Sequence, residues 1–172
     1  MTKFVKIAAL AATMIVATPA FAAPVGVTGA PPSATARIIR PLTLTSTGSL
    51  NFGTIVLAGV TANRTVALSS GNVLDCGAGT AELVCSGATS VPTYNVRGTN
   101  NQVVTVIKTA SNLTNSTDGS ILSMTPSGVA SVLLTNSGAP GFDFNIGGSI
   151  VIGTATTDGV YSGTVNVQVD YQ

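Results

Sequence analysis

The 172-residue chain has no histidine. Hydrolases of the Ser-His-Asp or Cys-His type need an imidazole that accepts and returns a proton near neutral pH, so those triads are excluded. Charge is scarce as well, with seven basic and six acidic residues in all. No basic stripe can neutralise phosphates, and the few aromatic residues are not interleaved with arginines, which argues against nucleic acid as a partner. The two cysteines, Cys76 and Cys85, lack CxxC spacing. A thiolate metal site or a dithiol redox motif would need that spacing or a nearby histidine. Long hydrophobic runs are also missing: Ile7 to Val16 is too short to span a bilayer, and no other stretch reaches about 18 uninterrupted apolar residues. No membrane span is expected in the mature chain.

Six carboxylates, Asp75, Glu82, Asp118, Asp143, Asp158 and Asp170, could in principle supply a two-carboxylate glycosidase. Most stand in turn contexts such as Asp118-Gly119 and Asp158-Gly159, where backbone hydrogen bonding accounts for the aspartate. Gly77-Ala-Gly79 and Gly138-Ala-Pro-Gly141 lack the Gly-Lys-Ser/Thr continuation of a phosphate loop. We expect no catalytic residue, no cofactor and no metal, and read the chain as a non-enzyme.

What is present begins with an export signal. Lys3 and Lys6 precede the apolar run, and Thr18-Pro-Ala-Phe-Ala22 places small residues at 20 and 22. Residues 1–22 therefore read as a secretory signal peptide cleaved after Ala22. The remaining chain carries five basic and six acidic residues, a net charge of −1. It is expected to pass through the periplasm to the cell surface or an extracellular fibre. In an oxidising compartment Cys76 and Cys85 are expected to form a disulfide.

Residues 23–34 are uncharged and rich in proline, glycine and alanine, the composition of an extended arm. Residues 35–172 read as one β-sandwich domain. Short β-like runs separated by Gly, Asn, Ser, Asp and Pro extend from Thr35 onward, and no ten-residue stretch has helical period. The expected runs are 36–45, 50–57, 64–69, 93–97, 103–108, 121–125, 131–134, 142–146, 149–153 and 161–171. Gly147-Gly148 reads as a tight hairpin turn and Asp158-Gly159 as a second turn. The stretch from Asn72 to Ser90 reads as the most loop-like part of the body. Asn63-Arg-Thr65, Asn112-Leu-Thr114 and Asn115-Ser-Thr117 match the acceptor pattern for N-glycosylation, a short pattern that arises often by chance in such a chain, and are read as surface loops and strand ends.

The ending is the most patterned segment. Gly159 is followed by alternating Val165, Val167 and Val169 and a penultimate Tyr171. Strand alternation puts the valines and Tyr171 on a core face, and Thr164, Asn166, Gln168 and Asp170 toward solvent.

Pro41-Leu-Thr-Leu-Thr45, Leu50-Asn-Phe-Gly53 with Ile55, Phe144-Asn-Ile-Gly-Gly148, Gly159-Val-Tyr-Ser-Gly163 and the Val-x-Val-x-Tyr ending carry a resemblance. Together they resemble the bacterial domain-of-unknown-function family numbered 4402, secreted β domains of Gram-negative bacteria. The ending also resembles chaperone-usher pilins and the related spore-coat U domains.

The second resemblance implies an all-β fold: an immunoglobulin-like antiparallel β-sandwich lacking its last strand, completed by donor-strand exchange. It gives Gly159, Val165, Val167, Val169 and Tyr171 the role of an assembly strand, and Val25 and Val27 that of a donor arm. It implies self-association into a fimbria-like fibre, with a periplasmic chaperone and an outer-membrane usher as partners. Eleven arm residues reach about 36 Å at roughly 3.3 Å each, more than an ordinary strand. Pilins commonly bridge their first and second strands by a disulfide, whereas Cys76 and Cys85 close a local loop. The alternative is a self-complete secreted or cell-surface binding or coat domain that does not polymerise and uses loops such as 72–90.

Overall fold

The computed structural model describes residues 23–77, 79 and 81–172. The signal-peptide assignment, residues 1–22, lies outside the described residues. The chain divides into two units, with residues 23–37 in the first and Ile38–Gln172 forming the second. Residues 23–37 contain no strand and bend at Thr28–Ala30.

The second unit is all-β, with no helix among the described residues. Its strands are β1 (Thr43–Thr47), β2 (Thr54–Leu57), β3 (Arg64–Leu68), β4 (Leu74–Cys76), β5 (Leu83–Ser86), β6 (Thr93–Arg97) and β7 (Val103–Thr109). They continue with β8 (Ser111–Asn115), β9 (Ile121–Gly128), β10 (Ser131–Leu133), β11 (Phe142–Ile152), β12 (Tyr161–Ser162) and β13 (Asn166–Tyr171). Every pairing is antiparallel. One large sheet runs β1-β6-β11-β9-β8-β12, with β3 on β11 and β4 on β3. The opposing layer is split into two ladders, β10-β7-β13 and β2-β5.

The spine is β11. Its first part pairs with β6 (Phe144 opposite Tyr94), and its second part lies between β9 and β3, with Ile150 opposite Met124 and Val66. Phe144, Ile146, Ile150 and Ile152 are buried along one face of it, the period-2 pattern of a half-buried strand. Two core clusters result. One joins Tyr94, Val96 and Phe144 to Val104, Val106, Val132 and Leu134 of the β10-β7-β13 layer. The other joins Val66, Leu68, Leu122, Met124, Ile150 and Ile152 to Phe52 and Leu83 beside the β2-β5 ladder. Tyr94 and Phe144 stack with ring centroids 5.6 Å apart.

Three sequence readings are corrected. Gly147-Gly148 is the middle of β11, not a hairpin turn. A Cβ at Gly147 would run into the carbonyl oxygen of Leu68, so glycine is there because β3 and the chain after it lie against the strand. The last run is two strands, β12 and β13, because the chain leaves β8 after Ser162 and joins β7 from Asn166. The loop-like stretch from Asn72 to Ser90 contains β4 and β5, too short to show periodicity. The strand β8 was not expected from the sequence, whereas β6 falls at 93–97 as read.

Candidate assembly groove

Between the β2-β5 ladder and the segment leading into β13, the second layer is interrupted. The interruption holds a cavity of about 810 Å³. Its floor is the apolar core itself, including Leu122, Met124, Ile150 and Ile152, while Ile55 and Val165 line it from either side. Among the described residues both flanking strands have a free edge: β2 pairs only with β5, and β12 only with β8. The same holds further along, where β1 pairs only with β6 and β13 only with β7. Unpaired edges beside an apolar cavity are a template for an added strand.

The wall formed by β2 is fastened from behind. Cys76 on β4 and Cys85 on β5 form the disulfide expected from the sequence, with Cα atoms 5.9 Å apart. Arg64 on β3 donates through Nε to Glu82 Oε2 at 2.6 Å, and the Thr61 hydroxyl donates to Glu82 Oε1 at 2.6 Å. The Arg64 hydrogen bond, then that of Thr61, holds the Glu82 carboxyl down at about 2. The pairing of β2 with β5 is prolonged by Asn51 and Ser90, which exchange backbone hydrogen bonds of 2.9 and 3.1 Å.

The other wall rests on Asn115, which is buried at 2% exposure and not on the surface as its sequence pattern suggested. Its Nδ2 donates to the Asp158 carbonyl at 3.0 Å, and its Oδ1 accepts from the Thr117 N–H at 2.9 Å. Gly159 lies directly over this amide with φ of 145°, and a Cβ there would overlap it. The Tyr161 hydroxyl donates to the Thr157 carbonyl at 2.9 Å and lies 2.9 Å from Ser120 Oγ. Asp118 accepts from the Ser120 N–H at 2.9 Å and the Thr157 hydroxyl at 2.7 Å, which lowers its pKa. These bonds pin residues 157–161 to the β8-β9 turn.

Of the residues expected from the sequence to form an assembly strand, Gly159 and Val165 line the cavity, whereas Val167, Val169 and Tyr171 are not among its lining. Val165 packs against both core clusters, and Val167, Val169 and Tyr171 against the one centred on Tyr94 and Phe144. All four are half-buried, while Thr164, Asn166, Gln168 and Asp170 are exposed, the alternation expected from the sequence. Tyr171 is occupied within its own chain: its hydroxyl donates to the Arg40 carbonyl at 2.7 Å and accepts from the Thr99 N–H at 2.8 Å. Val25 and Val27 lie in the unit of residues 23–37 and are exposed. The β2 wall with Ile55 was missed as a site by sequence reasoning, although Leu50-Asn-Phe-Gly53 with Ile55 had stood out as a motif.

Among the described residues no group of three or more His, Cys, Asp or Glu gathers as a metal site. No helix among them is long and apolar enough to cross a membrane. A family model described as a domain of unknown function (DUF4402) matches residues 42–171. Neither the curated proteins nor the solved structures give a match.

Proposed function

We propose that this chain, which belongs to the DUF4402 family, is a structural subunit of a fimbria-like surface fibre assembled by strand complementation. The observation that carries this reading is the interrupted second layer: an apolar cavity floored by the core and flanked by the unpaired edges of β2 and β12. A soluble β domain ordinarily covers, charges or twists away such edges, because they recruit other chains. Here the edges flank an apolar cavity, and among the described residues Asp158 is the one charged residue in its lining. A neighbour's arm carrying Val25 and Val27 would supply apolar side chains and ladder hydrogen bonds together. In this reading a periplasmic chaperone covers the groove in transit and an outer-membrane usher exchanges it for the arm.

A second reading, a self-complete cell-surface binding or coat domain, is favoured by one observation. The bond from Tyr171 to Arg40 joins the end of β13 to the chain entering β1, closing the sandwich there without help from another molecule.

Electron microscopy of producing cells, with the gene present and deleted, tests the first reading. Fibres that vanish on deletion and return on complementation support it. Unchanged fibres, together with a mature chain that stays monomeric at every concentration, would establish the second.

A further inference from the structure

Resting on the strand-complementation reading, we infer that the acceptor is only the Gly159 end of the groove, and that its occupant is the proline-bracketed stretch Val25–Ala30 of a second copy of this chain. Length is the first argument. Proline has no N–H to donate to a ladder, so Pro24 on one side and Pro31-Pro32 on the other limit continuous pairing by the arm to residues 25–30. Six extended residues cover about 20 Å at roughly 3.3 Å each. The full acceptor edge that the sequence pattern implies, from Gly159 to Tyr171 across β12 and then β13, would need about 43 Å by the same measure. The stretch can therefore serve one half of that edge and not both.

The two halves differ in what they offer. At the Tyr171 end the hydroxyl already bonds Arg40 and Thr99, and a Cβ at Gly98 would collide with Tyr171, Leu134 and Leu42, so those side chains fill the space. At the Gly159 end lies the 810 Å³ cavity, with free edges at Thr54–Leu57 and Tyr161–Ser162. These edges of four and two residues, with Gly159 to Gly163 around the second, suit a short insert and not a long one.

Pattern and charge agree with this placement. Val25 and Val27 fall on one face of an extended segment, with Gly29 next in phase. Two branched side chains would meet the apolar lining of the cavity, which includes Met124, Ile150 and Val165. The stretch is uncharged, as is the cavity apart from Asp158. In the free chain Thr28–Ala30 bend at Gly29, with φ of 107°, so pairing beyond Val27 requires that bend to straighten.

Cross-linking between mature full-length chains tests the assignment. Chains carrying Val27→Cys are mixed with chains carrying either Ser162→Cys, beside the cavity, or Val169→Cys on β13, and mixed dimers formed under mild oxidation are identified by mass spectrometry. Held in register, the cysteines react at the high effective concentration of neighbours, so the Ser162→Cys mixture should give at least about tenfold more mixed dimer. Equal or greater yield from Val169→Cys overturns the half-groove assignment and leaves strand complementation standing. No mixed dimer from either, with chains that remain monomeric, overturns both. Hydrogen exchange on the unsubstituted mature chain gives a readout independent of any folding defect in the variants. Protection that grows with protein concentration at 54–57 and 159–163 supports the assignment, and growth confined to 166–171 overturns it.

Discussion

The hydroxyl of Tyr171 donates to the carbonyl oxygen of Arg40 at 2.7 Å, across 131 residues of sequence. With the Thr99 N–H donating to the Tyr171 hydroxyl oxygen at 2.8 Å, the phenol ties the end of β13 to two other segments. A penultimate tyrosine that suggested a surface for partners is thus also an internal clasp.

Tyr171→Phe keeps the ring and removes both bonds. The Thr99 N–H and Arg40 carbonyl then have to find water or move, which costs about 1–2 kcal/mol. For a mature chain of this size that lowers the thermal midpoint by roughly 2–8 °C. A calorimetric scan of the mature protein measures it, and an unchanged midpoint would show that the clasp contributes nothing.

Gly159→Ala should cost more. Its φ of 145° lies where side chains are rarely accommodated, and the added methyl meets the buried Asn115 amide. Strain of this kind is on the order of 1–3 kcal/mol before the clash is counted. Urea unfolding should show the midpoint falling, and hydrogen exchange should show faster exchange at 157–161, where the wall is pinned.

Reducing the disulfide should loosen the β2 wall before the large sheet. Cys76 and Cys85 are separated by nine positions, and closing so short a loop is worth about 2.5–3 kcal/mol in the chain-entropy description. With reductant present, the earliest loss of amide protection is expected at 54–57 and 83–86. Simultaneous loss throughout β11 would show that the ladder is not a separable wall.

Acid should act on the same wall through Glu82. Its carboxyl is held at about 2 against an ordinary 4.5, chiefly by Arg64. A depressed carboxyl contributes stability that is fully present above the unfolded pKa and is lost as pH falls through the folded one. The loss should therefore run from about pH 4.5 down to about pH 2. The pair is partly exposed to solvent, so the effect is modest and screened by salt. Comparing wild type with Glu82→Gln by urea midpoint across that range isolates it: the two curves should converge at the acid end.

Much of the fold is legible in the sequence where burial imposes period 2. The strand β6 and the alternation of Val165, Val167, Val169 and Tyr171 come directly from that pattern. The failures have physical causes. At three and four residues, β4 and β5 are too short for a pattern, and what secures them is a disulfide and an ion pair between distant segments. Asn115 carries a surface motif, yet its amide serves the backbone of Asp158 and Thr117, partners that only the folded chain brings near. The groove is half legible: the sequence marks Gly159 and Val165 on one side, whereas the β2 side depends on a layer interruption that no local pattern encodes.

The glycine pair in β11 gives the sharpest contrast between a turn and a strand interior. A turn would need glycine for its backbone angles, whereas here Gly147 is required by the carbonyl of Leu68, a backbone atom that cannot swing aside. A Cβ at Gly148 would meet the side chains of Leu50 and Met124 at 3.1 and 3.3 Å, which can give way, and the Thr125 carbonyl only at 3.3 Å, a contact that a few tenths of an ångström relieve. Gly147→Ala should therefore break the β11-β3 ladder and cost about 3 kcal/mol or more, while Gly148→Ala costs about 1 kcal/mol. Chemical denaturation of both variants measures the ranking. Equal and small effects would mean that β3 is not packed against Gly147 in solution, and would remove the support for β11 as a continuous spine beneath the groove.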